Sequence, residues 1–315
     1  MKRRLRIFAP ATVANLGPGF DVLGLALASP GDVVEAELSD HPGVEIVEIT
    51  GDNGLLSRDP QRNVAGRSAL DVLRRAAAKG AAAAGVRLWL HKQMPLASGL
   101  GSSGASSAAG AVATNELLGR PLNQRDVLLS AMEGENAASG SPHADNVAPS
   151  VMGGIVLVRS YTPFEVVPLP VPSNLHVSVV HPHCKVSTLE ARRLVKARAY
   201  SIDEIVPNLG NVGALVAALA SGDLALLGRS IQDGLVEPVR APLIPGFAAV
   251  KQAAFDAGAL GCSIAGSGPS VFAFASDDTA AQKIGQAMRS AFRSAAGLDS
   301  DLYVGTVNTE GARPL

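Results

Sequence analysis

"PLASGLGSSGASSAAG", residues 95–110, holds four glycines, five serines and no charged side chain. A stretch so small and neutral suits either a flexible linker or a backbone cradle for an anion. Its neighbours bear on the choice. "VRLWLH" (86–91) alternates as a strand does, and the alanine-rich residues that follow read as a helix to about 118. Strand, glycine-rich loop and helix form a phosphate-binding arrangement, because the first amides of a helix lack intrahelical partners and its dipole is positive there. Gly99 and Gly101 permit close backbone approach. Ser102 and Ser103 add hydroxyls for phosphate oxygens or a metal.

The bulk numbers point to a small-molecule site. The 315 residues allow one large or two ordinary domains, and 47% hydrophobic residues make the chain globular. With 27 basic and 28 acidic residues, net charge −1 lends no support to a nucleic-acid partner. Cys184 and Cys262 stand alone, without a C-x-x-C, and read as reduced thiols. The basic start, Met1-Lys2-Arg3, is not followed by a signal-peptide core. The richest apolar run, "NVGALVAALA" (211–220), is too short by itself to span a bilayer. A soluble cytoplasmic protein is expected.

Along the chain, 4–9 reads as a strand ending at Pro10. "VVEAELS" (33–39) and "VEIVEI" (44–49) read as a hairpin around a Pro-Gly turn. Residues 63–79 read as a helix capped by Asn63, and about 124–138 as another capped by Asn123. "SPHADNVAP" reads as a turn-rich loop and "GGIVLV" as a strand. The proline-rich stretch 160–174 is the candidate domain junction, giving domains 1–165 and 166–315. The second half reads as strand, several helices, two strands around "GSGP", helix, strand. That is a ferredoxin-like plan with inserted helices, within an α+β fold.

Three phosphate-loop patterns can be compared. A Walker loop needs a lysine, and none lies between Met94 and Arg120. Gly99-Leu100-Gly101-Ser102-Ser103-Gly104 matches a dinucleotide fingerprint by letters, but the acidic residue expected further on falls at Glu116, inside the helix. The third pattern, P-x-x-x-G-L-G-S-S-x-[AS], is met throughout by Pro95, Leu96, Ala97, Ser98, Gly99, Leu100, Gly101, Ser102, Ser103, Gly104 and Ala105. It resembles the phosphate loop of the GHMP small-molecule kinases. Three further blocks, "PATVANLGPGFDVLGLAL" (10–27), "ENAASGSPHADNVAPSVMGG" (135–154) and "AGSGPSVFAF" (265–274), extend the likeness over nearly the whole chain. The first two resemble the branch of that family that phosphorylates the side-chain hydroxyl of L-homoserine.

From the residues alone, Asn15 and Asp21 read as turn formers, His143 as a polar loop residue, and Arg192 and Arg240 as surface charges. Glu135 is different: it shares a helix face with Leu128, Ala131, Gly134 and Ala138. A carboxylate on so apolar a face needs a partner, a magnesium ion or an arginine. The resemblance implies a two-domain GHMP kinase fold with a ribosomal-protein-domain-like N-terminal half, ATP and Mg2+ as cofactors, and a homodimer. It implies that the loop, with Asn63, holds the nucleotide, and that Glu135 with Ser102 or Ser103 holds the metal. Asn15, Asp21, His143, Asn146, Thr188, Arg192 and Arg240 would face L-homoserine. The arginines suit a carboxylate, which a guanidinium binds through paired hydrogen bonds. Asn15 and Asp21 suit the ammonium. Asn146, Glu135 and Ser103 would serve catalysis without a side-chain base, Asp145 being the rival base. The "GSGP" turn is expected to pack on the phosphate loop.

Overall fold

Apolar alternation builds two sheets, with helices packed around them. The computed structural model describes residues 4–82, 85–140 and 142–315; Met1, Lys2, Arg3 and the side chain of Ala138 lie outside the described residues. β1 (Arg4–Ala14) pairs antiparallel with β2 (Leu23–Ser39), and the register shifts between Pro10 and Thr12. The strand therefore runs past its expected stop. Proline lacks a ladder donor and is accommodated at a bulge.

The expected hairpin does not form. β3 (Gly43–Thr50) is separated from β2 by β4 (Gly85–His91), which is parallel to β3 and antiparallel to β2. A direct hairpin through 40–42 would set Glu37 against Glu45, a like-charge pair. With β4 between them, Arg87 bonds Glu37 at 2.9 Å and Glu45 at 3.0 Å. β4 also buries Val86, Leu88 and Leu90, which suits a central strand, whereas β3 buries Ile46 alone.

Against this sheet pack α1 (Val64–Ala78), α2 (Ser102–Leu117) and α4 (Ala144–Met152), and α3 (Gln124–Ser139) packs on these helices. Asn63 and Asn123 cap α1 and α3 as the sequence predicts. α4 departs from expectation. The turn formers of "SPHADNVAP" mask a helix that begins after His143 and carries Pro149 within it. β5 (Ile155–Tyr161) joins β2, and β6 (Phe164–Leu169) joins β5. The expected boundary at 165/166 thus cuts β6, whose pairing with β5 extends to Leu169. The second sheet begins with β7 (His176–Pro182).

Between β7 and β8 (Gly261–Ile264) lie α5 (Thr188–Ala197), α6 (Ile202–Ser221), α7 (Leu224–Ser230), α8 (Glu237–Arg240) and α9 (Phe247–Asp256). Then come β9 (Val271–Ala275), α10 (Asp278–Ala296) and β10 (Ser300–Thr306). The antiparallel order β10-β7-β9-β8 is the ferredoxin-like order. A last short strand, β11 (Arg313–Pro314), returns to pair with β1. One core cluster runs from Val34, Leu88 and Leu100 across to Val179 and Phe272. A second gathers Val180, Phe247, Met288 and Phe292 under α9 and α10.

The apolar run at 211–220 belongs to a longer element than expected. A capping box at Ser201 and Glu204 starts α6 earlier and brings it to 20 residues. Among the described residues it is the one helix long and apolar enough to cross a membrane, and it is mostly exposed.

Candidate active site

The loop before α2, the turn after β1, the start of α4 and two arginines from the second half surround one cavity of about 370 Å3. Gly101 begins α2 in the left-handed region, at φ 66°. A Cβ there would lie 2.0 Å from Thr12 Oγ1, and a Cβ on Gly99 would lie 2.5 Å from the Ala265 carbonyl oxygen. Both glycines are therefore needed for conformation and for close approach. The "GSGP" turn does pack on this loop: the Ser270 N–H and hydroxyl donate to the Ser98 carbonyl at 3.2 and 2.6 Å.

Leu96, Ala97, Ser98, Gly99, Gly101, Ser102 and Ser103 line the cavity. Pro95, Leu100, Gly104 and Ala105 are not part of that lining. Leu100 and Ala105 are fully buried in the core, and Gly104 lets α4 approach closely. Asn63 lines the cavity with its amide committed to the backbone. Its Oδ1 accepts from Ala65 and Gly66 at 3.0 and 3.4 Å, and its Nδ2 donates to Ser57 at 2.9 Å. It shapes that end rather than offering a free donor.

The two loop serines part company. The Ser103 hydroxyl donates to Glu135 at 3.0 Å. Ser102 instead donates to Asp32 at 3.3 Å. Burial pushes the Glu135 carboxyl up to about 7, against the opposing pull of the Ser103 hydrogen bond and Lys92. Ser103 and Glu135 make an all-oxygen donor pair beside the helix start. That set suits magnesium, a hard ion that takes one or two carboxylates together with phosphate oxygens.

Beneath the loop lies a buried ion pair that the sequence reading missed. Lys92, 2% exposed at its side chain, bonds Asp32 and donates to the Ser102 carbonyl at 3.0 Å and to Ser106 Oγ at 2.7 Å. Burial draws its ammonium below the usual lysine range while Asp32 pulls it back up. The signal was present: Val86, Leu88, Leu90 and Lys92 share one parity along the strand, so Lys92 had to point inward.

At the other end Asp21 and Arg192 are paired with each other, through two bonds of 2.8 and 2.9 Å. Arg192 also lies 3.4 Å from His143 Nδ1. Arg240 is 4% exposed, donates to the Gly266 carbonyl at 2.7 Å and lies over the Phe20 ring at 5.0 Å. Burial is the main cause that lowers both its pKa and that of His143, and Arg192 pushes His143 down further. Asp145 is 2% exposed, and burial, then neighbouring Asp21, raises its carboxyl to about 7. Asp21, His143 and Asp145 bring possible ligand atoms within 4.8 Å of one another. The Arg192 guanidinium already bonded to both oxygens of Asp21 places a cation against this group of ligand atoms.

Asn15, at φ 74°, lines the cavity as expected, with its amide engaged by the backbone. Its Nδ2 donates to Gly266 at 2.9 Å and its Oδ1 accepts the Asp21 N–H at 3.1 Å, so it braces the loop that presents Asp21. Thr188 bonds Ser267 at 3.0 Å on the cavity rim. Asn146, between the two ends, accepts from the Thr12 hydroxyl at 2.8 Å. The glycine-serine loop and the Asp21–Arg192 pair thus line one cavity, together with the neutral amide of Asn146.

Residues 63–154 match the family model for the GHMP kinases N terminal domain, and 215–294 match that for the GHMP kinases C terminal domain. The chain belongs to the GHMP kinase family, ATP-dependent small-molecule kinases. Within it, the full-length likeness is to homoserine kinases. That of Chlorobium phaeobacteroides (strain BS1) is 47% identical over 313 residues, covering 97% of this chain and 98% of the relative. That of Arabidopsis thaliana is 44% identical, covering 98% of this chain and 84% of the relative. The crystal structure of homoserine kinase from Cytophaga hutchinsonii is 52% identical with a TM-score of 0.95, covering 100% and 98% of the two chains.

Proposed function

We propose that this chain transfers the γ-phosphate of ATP to the side-chain hydroxyl of L-homoserine, giving O-phospho-L-homoserine, a step of threonine biosynthesis. The observation that carries this reading is the Asp21–Arg192 pair, with Arg240 and Asp145 beside it, in the same cavity as the phosphate loop. A free amino acid carries an ammonium and a carboxylate on one carbon and can exchange with that pair. Its carboxylate takes Arg192 and Arg240, and its ammonium takes Asp21, which Asn15 holds in place. His143 and Thr188 close the rim. A hydroxy acid such as mevalonate would satisfy the arginines and leave the acidic side without a cation.

Phosphoryl transfer asks mainly for alignment and charge stabilisation. The amides of the loop and of the first turn of α2 hold the phosphates. Ser103 and Glu135 would hold Mg2+, which would supply charge neutralisation to the phosphates when bound. Asn146, set by Thr12, orients the acceptor hydroxyl. An amide takes no proton, so the hydroxyl proton passes to phosphate, directly or through water. Asp145→Asn tests this: turnover is expected to persist, and its loss with binding and folding intact would make Asp145 the base.

The same proposal includes a soluble cytoplasmic homodimer. Ile202, Val206 and Leu209, exposed along α6, offer a surface for it, and sedimentation velocity reads the assembly. The activity is tested by ADP release with Mg-ATP and L-homoserine, L-serine, mevalonate or shikimate. Release is expected with L-homoserine; none with it refutes the reading, and release with another member names the replacement.

A further inference from the structure

We propose that Asn208, on α6, is a positioning residue that clamps the two substrate-binding segments into one fixed spacing. This rests on the assignment of residues 15–21 and Arg240 to the amino-acid end. Asn208 is 6% exposed on a helix whose neighbouring positions are largely open. Asparagine is a poor helix former, because its amide competes for backbone groups. Here that amide is spent on two distant segments. Nδ2 donates to the Pro18 carbonyl at 3.0 Å, and Oδ1 accepts the Gly234 N–H at 3.2 Å. One turn further along, Asn211 Nδ2 bonds the Gln232 carbonyl at 3.0 Å, a second tie to the same segment.

Each end of the clamp leads stiffly to a charged group. Pro18 precedes Gly19, whose N–H bonds the Asn15 carbonyl at 3.0 Å and whose carbonyl accepts from Val22 and Leu23 at 3.0 and 2.9 Å. Asp21 lies inside that tight turn. On the other side, Asp233 accepts the N–H groups of Leu235, Val236 and Glu237 at 2.8–2.9 Å, and the Arg240 N–H bonds the Val236 carbonyl at 3.0 Å. Gly234 is thus rigidly linked to Arg240. Phe20, two residues past Pro18, lies against the Arg240 guanidinium. One side chain therefore sets how far the acid that takes an ammonium stands from the guanidinium that takes a carboxylate. That distance is what distinguishes an α-amino acid from other charged alcohols.

Asn208→Leu keeps the branched heavy-atom skeleton and Asn208→Ala does not; both remove the two bonds. Each is expected to raise KM for L-homoserine about tenfold, while KM for ATP stays within about twofold. Amide hydrogen exchange of the unliganded protein is expected to accelerate about tenfold in 15–23 and 234–240 and to stay unchanged in α2. The clamp is overturned if both variants keep the wild-type exchange in those segments. It is also overturned if the KM values for homoserine and ATP rise together with exchange accelerating throughout, the mark of general loosening. A wild-type protein inactive on homoserine refutes the proposed function alone, since the exchange measurement still decides the clamp.

Discussion

Replacing Glu135 by glutamine should stabilise the protein while removing its activity. In the folded chain this carboxyl ionises at about 7, against an ordinary value of 4.5, because burial penalises its charged form. Between those two pH values the folded state holds the proton that the unfolded state releases, so stability falls as pH rises through that window and levels off above it. At about 1.4 kcal/mol per pH unit, the ionised side chain costs the fold about 3 kcal/mol at pH 8 and about 1 kcal/mol at pH 5. Glu135→Gln removes the charge and leaves an amide oxygen for the Ser103 hydroxyl. Urea unfolding of both proteins in EDTA at 25 °C measures the difference. The variant is expected to gain on the wild type by about 2 kcal/mol more at pH 8 than at pH 5. Homoserine-dependent turnover with Mg-ATP should fall by at least about a hundredfold, since the proposed function makes this carboxylate the charged half of a magnesium site. A stability gap that does not widen with pH, or a variant less stable than the wild type at pH 8, would refute the account of Glu135 as a destabilising, function-held charge.

Asp145→Asn should show the same pH signature, because burial also holds that carboxyl at about 7 against 3.8, with stability lost over that window as pH rises; the readout is again urea unfolding at two pH values. Gly101→Ala should cost about 2–4 kcal/mol, from left-handed strain and from displacing the Thr12 hydroxyl, and should lower kcat because that hydroxyl sets Asn146; thermal unfolding and steady-state kinetics check both. Lys92→Met should cost about 3–5 kcal/mol by stranding Asp32, and the double variant with Asp32→Leu should recover most of it. Arg192→Lys should raise KM for homoserine at least about tenfold with KM for ATP unchanged, since an ammonium cannot reproduce the two bonds to a carboxylate.

What could be read from the sequence was local. The Asn63 cap, the glycine-rich loop with its helix, and the inward face carrying Glu135 all follow from neighbours a few residues apart. What could not be read depended on distant partners. The hairpin expected at 33–49 fails because Arg87, 42 residues beyond Glu45, is the charge those glutamates require. The 144–152 helix hides behind residues that favour turns until α2 packs against it. Asp21 and Arg192 are 171 residues apart, and nothing local says that each is the other's partner. Lys92 is the exception, legible from strand parity and overlooked because the phosphate loop itself holds no lysine.

The seam between the 95–101 loop and the 265–270 turn joins parts of the chain that are far apart in sequence. The backbone of Ala265 and Gly268 forms the wall against which Gly99 is seated, and Ser270 anchors the Ser98 carbonyl. The Ser98 carbonyl takes its partner from 172 residues further along the chain, so the 95–101 loop completes its backbone contacts only with the second half of the molecule.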